Sequence, residues 1–312
     1  MTNDTVPTAY ITHPSCLLHQ NFPGHPEDPG RLTAIEDHLH AARLYDFLIH
    51  LQAPPATREQ LSRVHTEAYV DFIHAHAPTS GQVAIDADTT MNPDSLDAAL
   101  HAAGAVVLGV DRVCTGKAQV AFCAVRPPGH HAGRTRAAGF CLFNNIAVGA
   151  AHAIAAHNLD RVAIIDFDVH HGDGTEDIFA NDRRVLFCST FLHPFYPYCG
   201  ADTVNDHIIN VPLQRGTSGA HYREILSERV LPALEAFKPQ LIFISAGFDS
   251  HREDDMGGLG LVEADYVWVT ERLQEIAGRF SGGRIVSALE GGYHLSALGR
   301  SATAHIKALA RL

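Results

Sequence analysis

The stretch "IIDFDVHHGDGT", residues 164–175, begins as an apolar run and then places three aspartates and two histidines within positions 166–173. A short continuous apolar run is typical of a β-strand buried on both faces, and "RVAII" at 161–165 starts this one. Carboxylates and imidazoles at the end of a buried strand are costly to desolvate unless a charge compensates them. The stretch therefore predicts a buried strand that ends in a metal site.

Composition limits the classes of protein that this chain can belong to. It has 312 residues, 46% hydrophobic and 19% charged, which is typical of a globular protein with a large core. The net charge of −12 disfavours a nucleic-acid binder. No apolar run approaches the roughly 18 residues of a membrane span, and the first residues do not resemble a signal peptide. Six scattered cysteines without a CxxC pair favour reduced thiols over disulfides, so we expect a cytoplasmic protein that binds neither membranes nor nucleic acid.

Strand-like and helix-like segments alternate along the chain. Apolar runs recur at 119–125, 161–167, 184–189, 240–248 and 284–292, with helical patterns between them, and no linker interrupts the order. This alternation predicts an α/β fold with a mostly parallel sheet, as one domain over residues 1–312. Four of the five runs lead directly into clusters of Gly, His, Asp or Tyr. In open α/β sheets, functional groups gather beyond the carboxyl ends of the strands, so we expect these clusters to meet at one edge.

The spacing of acids and histidines predicts the ligands of one metal ion. Asp168 and His170 are two apart, so both point to the same side of an extended segment. Asp249, at the end of "FISAGFD", is the best-placed third ligand. One histidine and two carboxylates leave a position for water, as in catalytic zinc sites, although the set also suits Fe(II) or Co(II). The alternative, solvated acids and helix caps, does not account for the other clusters at the same edge.

Further candidates follow other strands. His130 and His131 in "RPPGHHAG" can each donate a hydrogen bond to one of the remaining acids, Asp166 and Asp173. A carboxylate partner fixes the tautomer of an imidazole and raises its basicity, as acid–base catalysis near neutral pH requires. Tyr293 in "LEGGYH" can donate to a developing oxyanion, although a half-buried packing tyrosine is the commoner role of such a residue.

Taken together, "HPEDPGRL", "RPPGHHAG…GFCLFNN", "DFDVHHGDGT", "ISAGFDSH" and "LEGGYH" resemble the zinc-dependent histone deacetylase family. That family includes bacterial deacetylase-like amidohydrolases and acetylpolyamine amidohydrolases. The resemblance implies an arginase/deacetylase-like three-layer α/β fold with an eight-stranded, mostly parallel sheet and the active site at the C-terminal ends of its strands. It implies hydrolysis of an N-acyl amine, either an acylated lysine in a peptide or protein or a small acylated amine, without an acyl-enzyme. Bacterial members are often homo-oligomers, which leaves self-association open.

The resemblance also implies a role for each matching residue. Zinc would be held by Asp168, His170 and Asp249. His131, backed by Asp173, would be general base and then acid, with His130 and Asp166 tuning the electrostatics and Tyr293 polarising the carbonyl. Substrate would contact Gly139, Phe140 and Tyr196, and Arg31 would lie near the inner product cavity. Structural K⁺ would use two sets of residues, the first Asp166, Asp168, His170 and Ser189, the second Phe179, Asp182 and Val185.

Several positions leave the substrate open. Met256 stands where the polyamine-selective branch of the family has glutamate, which favours acyl-lysine, although the acids Asp202, Glu253 and Asp254 nearby argue the other way. Tyr198-Cys199-Gly200 replaces the smaller Gly-Thr-Gly of many relatives, and these side chains either narrow the entrance or pack outward. Asp94 matches a residue at the rim that grips the substrate, with a helix N-cap as the alternative.

Two other classes of protein remain as alternatives. Arginase-like ureohydrolases share the fold but need Asp-x-His-x-Asp for two manganese ions, and Gly172 occupies the last of these positions. A non-catalytic acyl-binding protein on the same scaffold is disfavoured because every expected catalytic residue is present. We therefore expect a mononuclear metal enzyme.

Overall fold

The central sheet has eight strands, every pair of them parallel, in a computed structural model that describes residues 6–312. In chain order the strands are β1 Thr8–Thr12, β2 Ile49–Gln52, β3 Val83–Ala84, β4 Thr90–Met91, β5 Val120–Cys123, β6 Val162–Asp166, β7 Val185–Leu192, β8 Ile208–Leu213, β9 Leu241–Ala246 and β10 Ile285–Leu289. The order across the sheet is β2-β1-β5-β10-β9-β6-β7-β8, and β3 and β4 form a separate antiparallel pair.

All five apolar runs of the sequence are strands, and these strands form the middle of the sheet. Strands β7 and β10 are buried at every position. Strands β5, β6 and β9 are buried at every position, which explains their continuous apolar sequences. The edge strand β2 is largely exposed, so its sequence shows no such run.

Helices cover both faces of the sheet. Their bounds are α1 Gly30–Ala41, α2 Arg58–Ser62, α3 Glu67–His76, α4 Ser95–Cys114, α5 Asn145–His157, α6 Asp173–Phe179, α7 Gly219–Ile225, α8 Leu231–Phe237, α9 Glu263–Phe280 and α10 Leu295–Ala310. Helices α4 and α5 pack together as one layer, and α1, α10 and α9 form the other. The predicted three-layer α/β fold with an eight-stranded sheet is confirmed. Across residues 6–312, every helix falls short of the length or the apolar character that crossing a membrane requires.

Because the eight strands are parallel, their carboxyl ends lie along one edge of the sheet. The segments that leave β5, β6, β9 and β10 at this edge are the four in which the sequence concentrates glycine, histidine, aspartate and tyrosine. Strand β6 lies between β9 and β7, so the segment after β6 has neighbours on both sides.

Candidate active site

Three side chains with metal-binding atoms meet beyond the ends of β6 and β9. Asp168 and His170 follow β6, Asp249 follows β9, and all three are buried. Their ligand atoms lie within 4.8 Å of one another. His170 Nδ1 is 3.0 Å from Asp168 Oδ1 and 3.2 Å from Asp249 Oδ2. The structure therefore brings together the three residues that the sequence predicts as metal ligands.

The surroundings of this centre fit a divalent cation. Among the described residues, Asp249 Oδ2 is buried and, apart from His170 Nδ1 at 3.2 Å, has no hydrogen-bond partner. Burial, and then the negative charge of Asp168, raise the pKa of Asp249 to about 7, as expected for carboxylates that lack a compensating charge. The backbone also packs tightly here, since a Cβ on Gly291 would lie 2.6 Å from Asp168 Oδ2. One imidazole and two carboxylates match the ligand set of a catalytic zinc site with an open position.

Two adjacent histidines after β5 each donate a hydrogen bond to a separate aspartate. His130 Nδ1 lies 2.9 Å from Asp166 Oδ2, and His131 Nδ1 lies 2.7 Å from Asp173 Oδ1. Asp173 also accepts a hydrogen bond from Arg136 at 2.6 Å. Asp173 is therefore the partner of His131 and Arg136, while Gly172 stands at the position where a binuclear site needs its carboxylate, which argues against the binuclear alternative.

The two histidines differ in their affinity for protons. Burial lowers the pKa of His130, but the charges of Asp166 and Asp168 outweigh it and raise that pKa well above its ordinary value. Burial, and then the positive charge of His130, lower the pKa of His131 to about 4 despite its hydrogen bond to Asp173. His131 is therefore neutral near neutral pH and carries its lone pair on Nε2, as a general base requires.

Tyr293 lies in the turn between β10 and α10. Its ring packs edge-on against Phe140 with centroids 6.0 Å apart, and the guanidinium carbon of Arg31 lies 4.9 Å from its centroid. Arg31 is fully buried and donates to the backbone carbonyls of Glu290 and, at 2.7 Å, Gly292. Burial raises the pKa of Tyr293, so its phenol keeps the proton that it would donate.

A cavity of about 220 Å³ connects these groups with the surface. It is lined by Asp88, His131, Gly139, Phe140, His170, Phe195, Tyr196, Met256 and Tyr293. Phe195 stacks on the ring of His170 at 5.4 Å, and Tyr196 packs edge-on against His131 at 5.1 Å. Aromatic walls around a short polar floor are suited to an alkyl chain that ends in a polar group.

Asp94 does not line the cavity. It is exposed before α4, and within residues 6–312 its carboxylate caps no N–H of that helix, so a contact of Asp94 with substrate stays a prediction. Asp88 lines the cavity instead, and its Oδ1 accepts the N–H of Gly139 at 3.1 Å. This position of Asp88 was hard to predict from the sequence, because Asp88 lies between β3 and β4, strands of two residues each.

The open question about the entrance is also answered. Tyr198 is 73% exposed and Cys199 is exposed as well, so these side chains pack outward and do not narrow the cavity. Among the acids predicted near the entrance, Glu253 forms an ion pair with Arg300 at 2.8 Å.

The two predicted potassium sets lie in different parts of the fold. Asp166 and Ser189 are paired in the β6–β7 register and buried, and Asp168 N–H donates to Asp166 Oδ1 at 3.1 Å, so with His170 the first set lies together beside the metal centre. Potassium there stays a prediction.

The second potassium set lies at the end of α6 and the start of β7. The carbonyl oxygen of Phe179 accepts the N–H of Asp182 and Nε2–H of His207, both at 3.0 Å, and that of Asp182 accepts the N–H of Val185 at 3.0 Å. Potassium at this set also stays a prediction.

Sequence reasoning missed two residues in known motifs. Phe195 precedes Tyr196 in "HPFYP", and both rings line the cavity. Glu290 in "LEGGYH" is fully buried, and its Oε2 accepts the N–H groups of Gly129 at 2.7 Å and His130 at 3.1 Å. Burial raises the pKa of Glu290 to about 7. Glu290 therefore fixes the segment that carries the two histidines.

Comparison with known proteins agrees with this geometry. The model of the histone deacetylase domain matches residues 25–309. The histone deacetylase-like amidohydrolase of Pseudomonas aeruginosa is 36% identical over 277 residues, which are 86% of this chain and 73% of that protein. The mouse polyamine deacetylase HDAC10 is 36% identical over 91% of this chain and 44% of its own length. The crystal structure of the HDA15 HD domain superimposes with a TM-score of 0.93 at 38% identity, covering 98% of this chain and 90% of that one.

This chain belongs to the histone deacetylase family. The predicted resemblance is confirmed, as is the prediction of a hydrolase that acts on amide C–N bonds. The family implies a metal, typically zinc, and the cluster of Asp168, His170 and Asp249 is a group that could hold it.

Proposed function

We propose that this protein is a zinc-dependent amidohydrolase that removes acetyl or other acyl groups from lysine side chains of peptides or proteins. The observation that carries the proposal is the convergence of a buried three-ligand centre, a neutral histidine and a protonated tyrosine on one aromatic-walled cavity. Bound at Asp168, His170 and Asp249, zinc would polarise the acyl carbonyl and lower the pKa of a water molecule.

The protein's own groups would handle the protons. His131 Nε2 accepts a proton from the attacking water, because Asp173 holds the proton of the ring on Nδ1. The same imidazole then returns a proton to the leaving amine. His130 stays protonated beside Asp166, so it adds positive charge near the reacting group. The phenol of Tyr293 donates a hydrogen bond to the oxygen on which negative charge develops.

The cavity favours a lysine side chain over a polyamine. Met256 contributes an apolar side chain to its lining. Of the nearby acids, Asp254 is buried and accepts hydrogen bonds from the backbone, while Glu253 is paired with Arg300. Neither carboxylate is free for a second ammonium group.

A second candidate, a deacetylase of acetylpolyamines or other small acylated amines, has one observation in its favour. Asp88 is half-buried in the cavity lining, and a carboxylate there can attract a distal ammonium. The similarity to a mouse protein named as a polyamine deacetylase supports the same candidate.

The test compares substrates on one purified protein whose metal content has been measured. Acetyl-lysine peptide, acetylspermidine, acetylputrescine, longer acyl-lysines and trifluoroacetyl-lysine are assayed side by side. We expect one zinc ion per chain and the highest kcat/KM on an acyl-lysine peptide. Asp249→Ala should lose metal and turnover, whereas Asp37→Ala, an exposed aspartate on α1, should lose neither. Faster turnover of acetylspermidine would favour the second candidate, and a zinc-loaded protein without any turnover would indicate a non-catalytic acyl-binding protein.

The proposal includes three further expectations. One catalytic domain over 1–312 is supported by a sheet whose strands come from residues 8 to 289. A cytoplasmic location is supported by six cysteines that are all free thiols. Potassium at both sets and self-association stay predictions.

A further inference from the structure

A single buried carboxylate contacts two segments of the cavity lining. Asp254 is 6% exposed, and its Oδ2 accepts the backbone N–H of Tyr293 at 2.6 Å and that of His294 at 3.0 Å. Its Oδ1 accepts the N–H of Met256 at 3.0 Å. Both oxygens are therefore engaged, and Asp254 itself does not line the cavity.

The turn that carries Tyr293 is also held by a cation, Arg31. Arg31 donates to the carbonyl oxygens of Glu290 and Gly292, so a buried guanidinium binds the carbonyls of this turn while a buried carboxylate binds its N–H groups. Gly292 has a φ of +116°, a backbone conformation that L side chains rarely adopt. These contacts fix the backbone from which the phenol extends.

We propose that Asp254 is a positioning residue that holds the phenol of Tyr293 and the side chain of Met256 in one fixed arrangement. The inference rests on the proposed function, in which Tyr293 stabilises the developing negative charge. The carboxylate does not touch the reacting groups. It acts through the backbone N–H groups of Met256, two positions later in the chain, and of Tyr293, 39 positions later.

The expected fall in kcat follows from the displacement of the Tyr293 phenol. Asp254→Ala leaves three N–H groups without their acceptor, so the turn relaxes and the phenol moves. A misplacement of about 1 Å can cost on the order of 100-fold in rate. We expect kcat to fall about 10- to 100-fold, and never below the value for Tyr293→Phe, because Asp254 acts through that phenol.

A double-mutant cycle separates positioning from general damage. In a Tyr293→Phe background, Asp254→Ala should lower kcat less than about threefold further, whereas independent effects would multiply. Full multiplication, or wild-type kcat for Asp254→Ala alone, would overturn the proposal. Glu253→Ala is the matched control: it removes the neighbouring carboxylate, which is 39% exposed and bonded to Arg300, and should leave kcat unchanged.

A conservative variant tests the two contacts separately. In Asp254→Asn the amide oxygen can still accept the two N–H groups of the turn, while the amide nitrogen faces the N–H of Met256. We expect kcat within about threefold of wild type and a KM for acetyl-lysine peptide raised several-fold. A loss of kcat as large as in Asp254→Ala, or an unchanged KM, would contradict the shared arrangement.

Hydrogen exchange gives a readout that does not depend on activity. Amides in the peptide covering residues 290–296 should exchange at least tenfold faster in Asp254→Ala than in wild type or Glu253→Ala. Equal exchange in all three proteins would overturn the inference. Faster exchange in a protein that hydrolyses no acylated amine would instead contradict the proposed function alone.

Discussion

Replacing Gly139 with alanine should disable the proposed base without touching any metal ligand. Gly139 has a φ of +54°, and a Cβ there would lie 2.7 Å from Cγ and 3.0 Å from Cβ of His131. Carbon atoms prefer a separation of about 3.5–4.0 Å, so the imidazole or the turn must move by roughly 0.8 Å or more.

The distance by which the His131 imidazole must move determines how far kcat should fall. His131 is held by a hydrogen bond of 2.7 Å to Asp173, which leaves little freedom for the ring to move and still keep its tautomer and direction. A misplacement near 1 Å costs on the order of 100-fold in rate. The left-handed backbone adds a cost of about 1–2 kcal/mol in stability for a residue with a Cβ. We therefore expect kcat to fall about 100-fold, with a modest loss of stability.

Steady-state hydrolysis of a fluorogenic acetyl-lysine peptide, with zinc content measured on the same samples, checks this prediction. Gly278→Ala is the matched control, because Gly278 lies within α9 and a Cβ there would meet nothing within 4 Å. That variant should keep wild-type kcat and gain up to about 1 kcal/mol in stability. Gly139→Ala with wild-type kcat would refute the reasoning, since His131 could then not be the base at this position.

Three further predictions concern other residues. Tyr293→Phe should lower kcat at least about 100-fold with zinc content unchanged, and wild-type turnover in steady-state assays would exclude its role. Met256→Glu should raise the ratio of kcat/KM for acetylspermidine over acetyl-lysine peptide roughly tenfold, about 1.4 kcal/mol, and an unchanged ratio would contradict a contact with substrate. Burial lowers the pKa of His305 to about 3. Below about pH 6.5 the unfolded chain therefore binds a proton that the folded chain does not, so the free energy of unfolding decreases as the pH is lowered. Measured by urea unfolding, the free energy of unfolding should decrease between pH 6.5 and 5 by about 2 kcal/mol less in His305→Gln than in wild type. Equal decreases in the two proteins would argue against this pKa.

The central strands and the metal centre were predictable because they leave direct signals in the sequence. Strands such as β6 and β9 are buried at every position and therefore read as continuous apolar runs. Asp168 and His170 are two apart at the end of such a run, and the parallel sheet then brings Asp249 to the same edge. Edge strands such as β2 carry no run of this kind, because one side of the strand has no partner to bury it.

The rim and the supporting contacts were not predictable in the same way. Asp88 lies between two strands of two residues each, and its approach to Gly139 depends on the tertiary fold. His207 donates a hydrogen bond to the carbonyl oxygen of Phe179 only because a loop distant in sequence packs against α6. The sequence analysis grouped Asp254 with the acids near the cavity entrance, but its carboxylate is buried and accepts three backbone N–H groups. Each of these depends on contacts between segments that sequence spacing does not encode.

Removing and restoring the metal tests the central claim most directly. Zinc is stripped from the purified protein with a chelator and titrated back while acetate release from an acetyl-lysine peptide and bound metal are both measured. We predict that turnover rises in proportion to bound zinc, up to one ion per chain, and that Asp249→Ala shows neither binding nor turnover. Hydrolysis that persists in the metal-free protein would contradict a mechanism built on Asp168, His170 and Asp249.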